Sequence, residues 1–285
     1  MLDQSQPEKR KKRPHPLEAP PEPMPQRPSG DMPQQKMLRL PVTKPFATYI
    51  LVAINVAIFV GAVYIANPRQ LNDLYTWGAN HRRAVLDMGE YYRLLSSMFL
   101  HSTASVAHIF FNMYALWIIG QTVESYFGHA RFLVIYFLGG LLGSILSVLF
   151  NDLNAFSVGA SGAVFAIFGA EMVFLRKHRH LFGEMAKRQL RQLIIIAGMN
   201  FAIGIASAMN PGGINIDNWG HVGGLLGGLL LAWIICPLLL PKQNPMNFDE
   251  IIIEDVNHLE RHYQTLALYV AGLLSLIIIG VATIG

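Results

Sequence analysis

The chain has 285 residues, of which 52% are hydrophobic and only 14% charged. A soluble domain carries about 25% charged residues, so the shortfall excludes an ordinary water-soluble fold and points to the membrane. The formal net charge of +4 is concentrated in the N-terminal segment and one internal loop, so it speaks to membrane topology rather than to a nucleic-acid partner.

Residues 1–45 are rich in proline and glutamine, nearly free of aromatics, and contain Lys9-Arg10-Lys11-Lys12-Arg13. Such a segment cannot bury enough apolar surface to fold. It is expected to be a disordered cytoplasmic tail whose basic run touches anionic lipid headgroups. It lacks the apolar core of a signal peptide, so cleavage is not expected.

Seven apolar segments follow, near 46–66, 105–123, 132–149, 158–175, 193–208, 219–240 and 266–284. A span needs about 20 predominantly apolar residues to cross roughly 30 Å of hydrocarbon. The fourth and fifth are short or interrupted by small and polar residues, which is tolerable for a helix surrounded by protein. The expected fold is an all-α polytopic membrane protein: a six-span core over 46–240, a cytoplasmic linker over 241–265 and a seventh span over 266–285. The long loop after the first span carries Trp77, Tyr91, Tyr92 and Arg93, a composition suited to the headgroup layer.

Lysine and arginine set the orientation. The loop after span four reads Arg176-Lys177-His178-Arg179-His180, then Lys187-Arg188 and Arg191, whereas the loops at 151–157 and 209–218 carry neither residue. With the N-terminus inside, seven spans put both basic regions in the cytoplasm and the C-terminus outside. The lone cysteine, Cys236, excludes an intramolecular disulfide and reads as an inert packing residue beside Pro237. No internal repeat is visible, which argues against the inverted-repeat transporters.

Ser161 stands in Gly159-Ala160-Ser161-Gly162-Ala163 at the start of span four. Small neighbours give a serine steric access, and a helix start offers uncovered backbone N–H groups to a developing oxyanion. Alone, the pattern reads equally well as a packing helix with an incidental serine. His221 opens span six and is followed by Gly223, Gly224, Gly227 and Gly228. Gly224 and Gly228 form a Gly-x-x-x-Gly face that fits the small face Gly162, Ala166 and Ala170 of span four. That packing would bring a nucleophile and a base together. A helix-end histidine is more often a structural hydrogen bonder, and the matching faces shift that balance.

His108 and Asn112 lie one turn apart in span two and share a face. Both are donors, for an oxyanion or for interhelical bonds. His101 falls at or before the start of that helix. Asp217, four residues before His221, makes a Ser-His-Asp triad conceivable. A full turn nearer the surface, it is expected to be wet and not to orient the imidazole. Glu124 is expected to be a structural acceptor. No His-Glu-x-x-His occurs, and His178 and His180 have no acidic neighbour, so neither metal nor cofactor is expected.

Taken together, Tyr92-Arg93, His108 with Asn112, Gly159 to Ala163, and Gly220-His221 with Gly224 and Gly228 resemble the rhomboid intramembrane serine proteases over about residues 46–240. The resemblance implies a six-helix rhomboid-like bundle with a seventh C-terminal helix. It implies a Ser161–His221 dyad without a third carboxylate, and an oxyanion held by His108, Asn112 and the Ser161 N–H. Gly159 would lie in the strand-like approach to the nucleophile, and the first loop would be anchored around Arg93. The implied partners are the lipid bilayer and transmembrane protein substrates, unwound near their outer ends. Three positions depart from the usual pattern: His101 and His108 are seven apart, Phe165 replaces a frequent tyrosine under the imidazole, and Gly220 replaces a frequent alanine. None removes a catalytic group. Short loops and the lack of a targeting peptide favour a bacterial plasma membrane.

Overall fold

Apolar segments without charge can cross hydrocarbon only by closing their own backbone hydrogen bonds, and in a computed structural model they do so as helices. The structure describes residues 42–209, 216–244 and 247–284. Most of the expected tail, and part of the loop before His221, therefore lie outside the described residues.

In chain order the helices are α1 Phe46–Ile65, α2 Pro68–Gly78, α3 Arg82–Leu86, α4 Arg93–Ser96, α5 Val106–Phe127, α6 His129–Phe150, α7 Ser161–Lys177, α8 Arg179–Ala208, α9 Asn218–Ile235 and α10 Leu259–Thr283. Among the described residues, α1, α5, α6, α8, α9 and α10 are long and apolar enough to cross a membrane. α7 has 17 residues and is buried along almost its whole length, so it meets protein rather than lipid. The chain is an integral, multi-pass, all-α membrane protein.

Several boundaries differ from those expected. α8 begins at Arg179 rather than near 193, with a break at Gly183 (φ 55°, ψ −129°). Its basic segment, rich in lysine, arginine and glutamine, favours the helix, so charge did not end the element. α9 stops at Ile235 rather than near 240, because Pro237 lacks an N–H and disfavours helical geometry in the residue before it. The stretch expected as a linker instead contains a hairpin of β3 Leu239–Asn244 and β4 Asn247–Asp255. A second, minimal ribbon pairs β1 Asn80–His81 with β2 Phe156–Ser157, Asn80 opposite Ser157.

The centre of the bundle is α9, wedged between α7 and α6. Without a hydrophobic drive between helices in lipid, close van der Waals packing holds them, and small residues permit it. On one side of α9 a Cβ at Gly224 would overlap the carbonyl oxygen of Gly162, and one at Gly228 that of Ala166. On the other side a Cβ at Gly223 would sit 2.7 Å from the Leu142 oxygen, and one at Gly227 2.9 Å from the Gly139 Cα. Only the first of these two faces is apparent from the spacing of small residues in the sequence.

Polar anchors fix the ends. Glu124, fully buried, accepts from the N–H groups of Ala47 (2.8 Å) and Thr48 (2.7 Å) and from the Thr48 hydroxyl (2.7 Å). It caps α1 from the end of α5, as a structural acceptor should. α10 leans on α6 through Tyr269, whose hydroxyl donates to Leu138 (3.4 Å), and through Gly280, packed on Leu149 and Leu86.

Candidate functional site

The first turn of α7 begins at Ser161. Its leading N–H groups have no carbonyl one turn back to bond. The approach is extended: β2 ends at Ser157, and Gly159 follows with φ 133°, a conformation side chains rarely adopt. The Gly159 N–H donates to the Ser97 carbonyl at 2.9 Å. A Cβ at Gly159 would lie 2.9 Å from His108 Nε2 and 3.8 Å from Ser161 Oγ. Glycine therefore serves twice here, for its backbone angle and for the space that the His108 ring occupies beside the serine.

His221 lies in the first turn of α9 and is 7% exposed. Its ring stacks on Phe165, centroids 4.4 Å apart and 14° from parallel, with Phe201 of α8 at its edge (6.4 Å, 62°). Phe165 is one turn below Ser161 on α7, so the stack ties the imidazole to the nucleophile's helix. The backbone contact of Gly162 with Gly224 lies one residue from Ser161 and three from His221. Ser161 Oγ and the His221 ring are not hydrogen-bonded to each other among the described residues. A nucleophile and its base are often looser before substrate binds. Among the described residues, His221 Nδ1 is buried without a hydrogen-bond partner.

Asn112 is buried, and its amide donates to the His108 carbonyl at 2.9 Å, leaving the second N–H of that amide. His108 and Asn112 thus share a face of α5, with the His108 ring against Gly159. Arg93 is buried in the first loop. Its Nε bonds Glu90 at 2.6 Å, its Nη1 donates to the Ala79 carbonyl at 3.0 Å, and its guanidinium lies 5.7 Å from the Tyr92 ring centre. It organises the loop that flanks α6, while Trp77, Tyr91 and Tyr92 remain exposed.

Two residues carry more than their sequence positions announced. His101, in the loop before α5, is buried, and its Nε2 accepts from the Ala160 N–H at 3.4 Å. Its ring is 5.3 Å from that of His108. Asp217, expected to be wet, is half-buried and tied on both carboxylate oxygens. The signal for the second was present, since an aspartate just before an apolar helix is an N-cap pattern. The first had none, because the loop's path back to Ala160 is a tertiary fact. Cys236 is buried, and burial pushes its thiol up to about 12, so it is a poor nucleophile. Among the described residues no three His, Cys, Asp or Glu side chains group as metal ligands.

A family model described as the Rhomboid domain matches residues 88–238. Rhomboid protease GluP of Bacillus subtilis (strain 168) is 36% identical over 200 residues, covering 70% of this chain and 36% of the relative. RHOMBOID-like protein 2 of Arabidopsis thaliana is 38% identical over 158 residues, or 55% of this chain and 46% of the relative. Putative rhomboid protease YdcA of Bacillus subtilis (strain 168) is 32% identical over 146 residues, or 51% and 68%. The matched segment thus spans about a third to a half of the length of the first two relatives.

Proposed function

Because the chain belongs to the rhomboid family, we propose that it is an intramembrane serine endopeptidase acting through Ser161 and His221. The observation that carries this reading is the packing of α7 on α9 through Gly162 and Gly224, with the His221 ring stacked on Phe165 at 4.4 Å. Nucleophile and base candidates stand on facing helices whose separation is set by backbone contact, which is the preorganisation that covalent catalysis needs.

Ser161 Oγ attacks the scissile carbonyl while His221 takes its proton. The carbonyl oxygen becomes an oxyanion, met by the Ser161 N–H, the His108 ring and the free N–H of Asn112. The intermediate collapses, the C–N bond breaks, and His221 returns the proton to the leaving amine. Water then attacks the acyl-enzyme while His221 takes its proton, the second tetrahedral intermediate collapses with cleavage of the ester C–O bond, and His221 returns the proton to Ser161 Oγ as the carboxyl product leaves. No carboxylate beyond the dyad takes part in proton transfer. The substrate is a transmembrane protein, unwound near its outer end because an intact helix hides its carbonyls in its own hydrogen bonds. The N-terminus is cytoplasmic, cleavage is at the outer face, and the membrane is a bacterial plasma membrane.

The test is cleavage of a model single-span substrate by the purified protein, beside Ser161→Ala and His221→Ala. Cleavage by the native protein alone supports the dyad; equal cleavage by all three rejects it. A labelled fluorophosphonate on the same samples reports the nucleophile directly, whatever the substrate.

A further inference from the structure

Asp217 joins three segments that meet above the dyad. Its Oδ1 accepts from the Gly220 N–H at 2.7 Å and from Asn151 Nδ2 at 2.8 Å, and its Oδ2 accepts from the Ser157 hydroxyl at 2.5 Å. Gly220 immediately precedes His221. Ser157 is the last residue of β2, four before Ser161, and Asn151 ends α6, where it also donates to Ser147 Oγ at 3.0 Å. The backbone of Asp217 takes part as well, its carbonyl accepting from the His221 N–H at 3.1 Å.

We propose that Asp217 is a positioning residue for catalysis, a clamp that fixes the approach to Ser161 against the start of the His221 helix. The inference rests on the Ser161–His221 reading above. Below the dyad, glycine contacts set the distance between α7 and α9. Those contacts begin at Gly162 and cannot restrain the extended segment 156–160, which precedes the helix. On one side that segment is held by β1, where Asn80 pairs with Ser157 and donates its amide to the Ser144 carbonyl at 2.9 Å. Gly159 and Ala160 are tied by their N–H groups to the Ser97 carbonyl and His101 Nε2, and toward α9 the segment is tied at Ser157 by the Asp217 carboxylate. Gly220, where the family pattern often has alanine, leaves room for it: a Cβ there would lie 2.7 Å from Asp217 Oδ2. With both carboxylate oxygens engaged by Gly220, Asn151 and Ser157 and, among the described residues, neither hydrogen-bonded to the His221 ring, the carboxylate acts on the imidazole through the helix start, not as a third member of a proton relay.

The clamp makes a prediction that a bare structural role does not. Asp217→Ala removes the tie between the 156–160 segment and the start of α9, and displacement of a reacting group by about 1 Å costs on the order of 10²-fold. The expected result is a fall in kcat of roughly 10- to 100-fold, KM within about twofold of native, and the same fractional loss in the rate of fluorophosphonate labelling at Ser161. Asp217→Asn keeps an acceptor for Gly220 and Asn151 and offers Ser157 a donor in place of an acceptor, which a hydroxyl can use. It should therefore recover most of the loss in kcat. Ser157→Ala and Asn151→Ala keep the carboxylate and remove one donor each; each should lower kcat in part, and the pair together should approach Asp217→Ala.

Native kcat in a folded Asp217→Ala overturns the proposal. So does an Asp217→Asn as impaired as Asp217→Ala, since the charge and not the clamp would then be at work. If Asp217→Ala does not fold, the Ser157 and Asn151 variants decide, and full activity in the double variant overturns the clamp. Failure of the underlying dyad reading is distinguishable, because native protein would then not label with fluorophosphonate at Ser161, or would cleave no better than Ser161→Ala and His221→Ala.

Discussion

The face of the His221 imidazole is held by packing on Phe165. Its stack on Phe165 is the kind of ring pair worth about 0.5–1.5 kcal/mol beyond area burial, and each 1.36 kcal/mol of transition-state stabilisation is a factor of ten in rate. Phe165→Leu keeps an apolar filler but loses the flat face, so kcat should fall about 3- to 10-fold, with a smaller change in KM. Steady-state cleavage checks this, and a variant at native kcat would show that the stack orients nothing. The oxyanion donors are a sharper case. Asn112→Ala removes one N–H and should lower kcat by roughly 10²- to 10³-fold if that N–H meets the oxyanion, while fluorophosphonate still finds Ser161, though more slowly. Gly159→Ala faces two penalties at once, a backbone angle of φ 133° and a Cβ 2.9 Å from His108 Nε2. It should be the more damaging of the two in a cleavage assay.

At the scale of elements, the two glycine faces of α9 set the geometry of the site. Gly224→Ala puts a methyl group into the Gly162 carbonyl, and neither partner is a flexible side chain that can swing away. Overpacking of this kind costs typically 1–3 kcal/mol, occasionally more, and here the displaced backbone begins one residue after Ser161. Cleavage should fall further than the lowered melting temperature alone accounts for. Gly61→Ala, at a glycine with nothing within 4 Å of the added Cβ, is the control and should retain native melting and activity. The face made by Gly224 and Gly228 was legible in the sequence because the Gly-x-x-x-Gly spacing and a matching small face on α7 were both visible. The Gly223 and Gly227 face against α6 was not, since spacing alone does not say which neighbour a second stripe meets. The hairpin of β3 and β4 was missed for a related reason. Its first strand, Leu239–Asn244, starts two residues after Pro237 and contains another proline, so it has no sustained alternation of apolar and polar residues to reveal it. The basic segment of α8 was read as loop because charge marks the water side of a membrane, and charge does not interrupt a helix.

Across the whole molecule, the ends of α6, α9 and α10 nearest the hairpin are knit by one polar cluster that includes it. Asp255, at the end of β4, accepts from the N–H groups of Leu238 and Asn257, both at 2.9 Å, and pairs with Arg131 of α6 at 2.8 Å. Asn257 in turn donates to the carbonyls of Ile234 (3.1 Å) and Cys236 (2.9 Å), capping the end of α9, and its Oδ1 meets His262 Nε2 at 2.7 Å just ahead of the long turns of α10. Partial burial alone would raise the Asp255 carboxyl, but the Asn257 N–H, the Arg131 hydrogen bond and charge, and the Leu238 N–H together hold it below its ordinary 3.8. A folded-state value below the unfolded one stabilises the fold above the unfolded pKa, and that stabilisation is lost as pH falls through the folded pKa. Asp255→Asn keeps an acceptor for the two N–H groups and removes the charge, so at pH 7 it should cost on the order of 1–2 kcal/mol, reduced from the buried-pair range because the carboxylate is partly exposed. Melting of native and variant protein, compared across pH, should show a constant gap between about pH 5 and 8 that narrows only below about pH 4. A gap that closes between pH 5 and 8 would overturn the assignment of the cluster's pH response to Asp255.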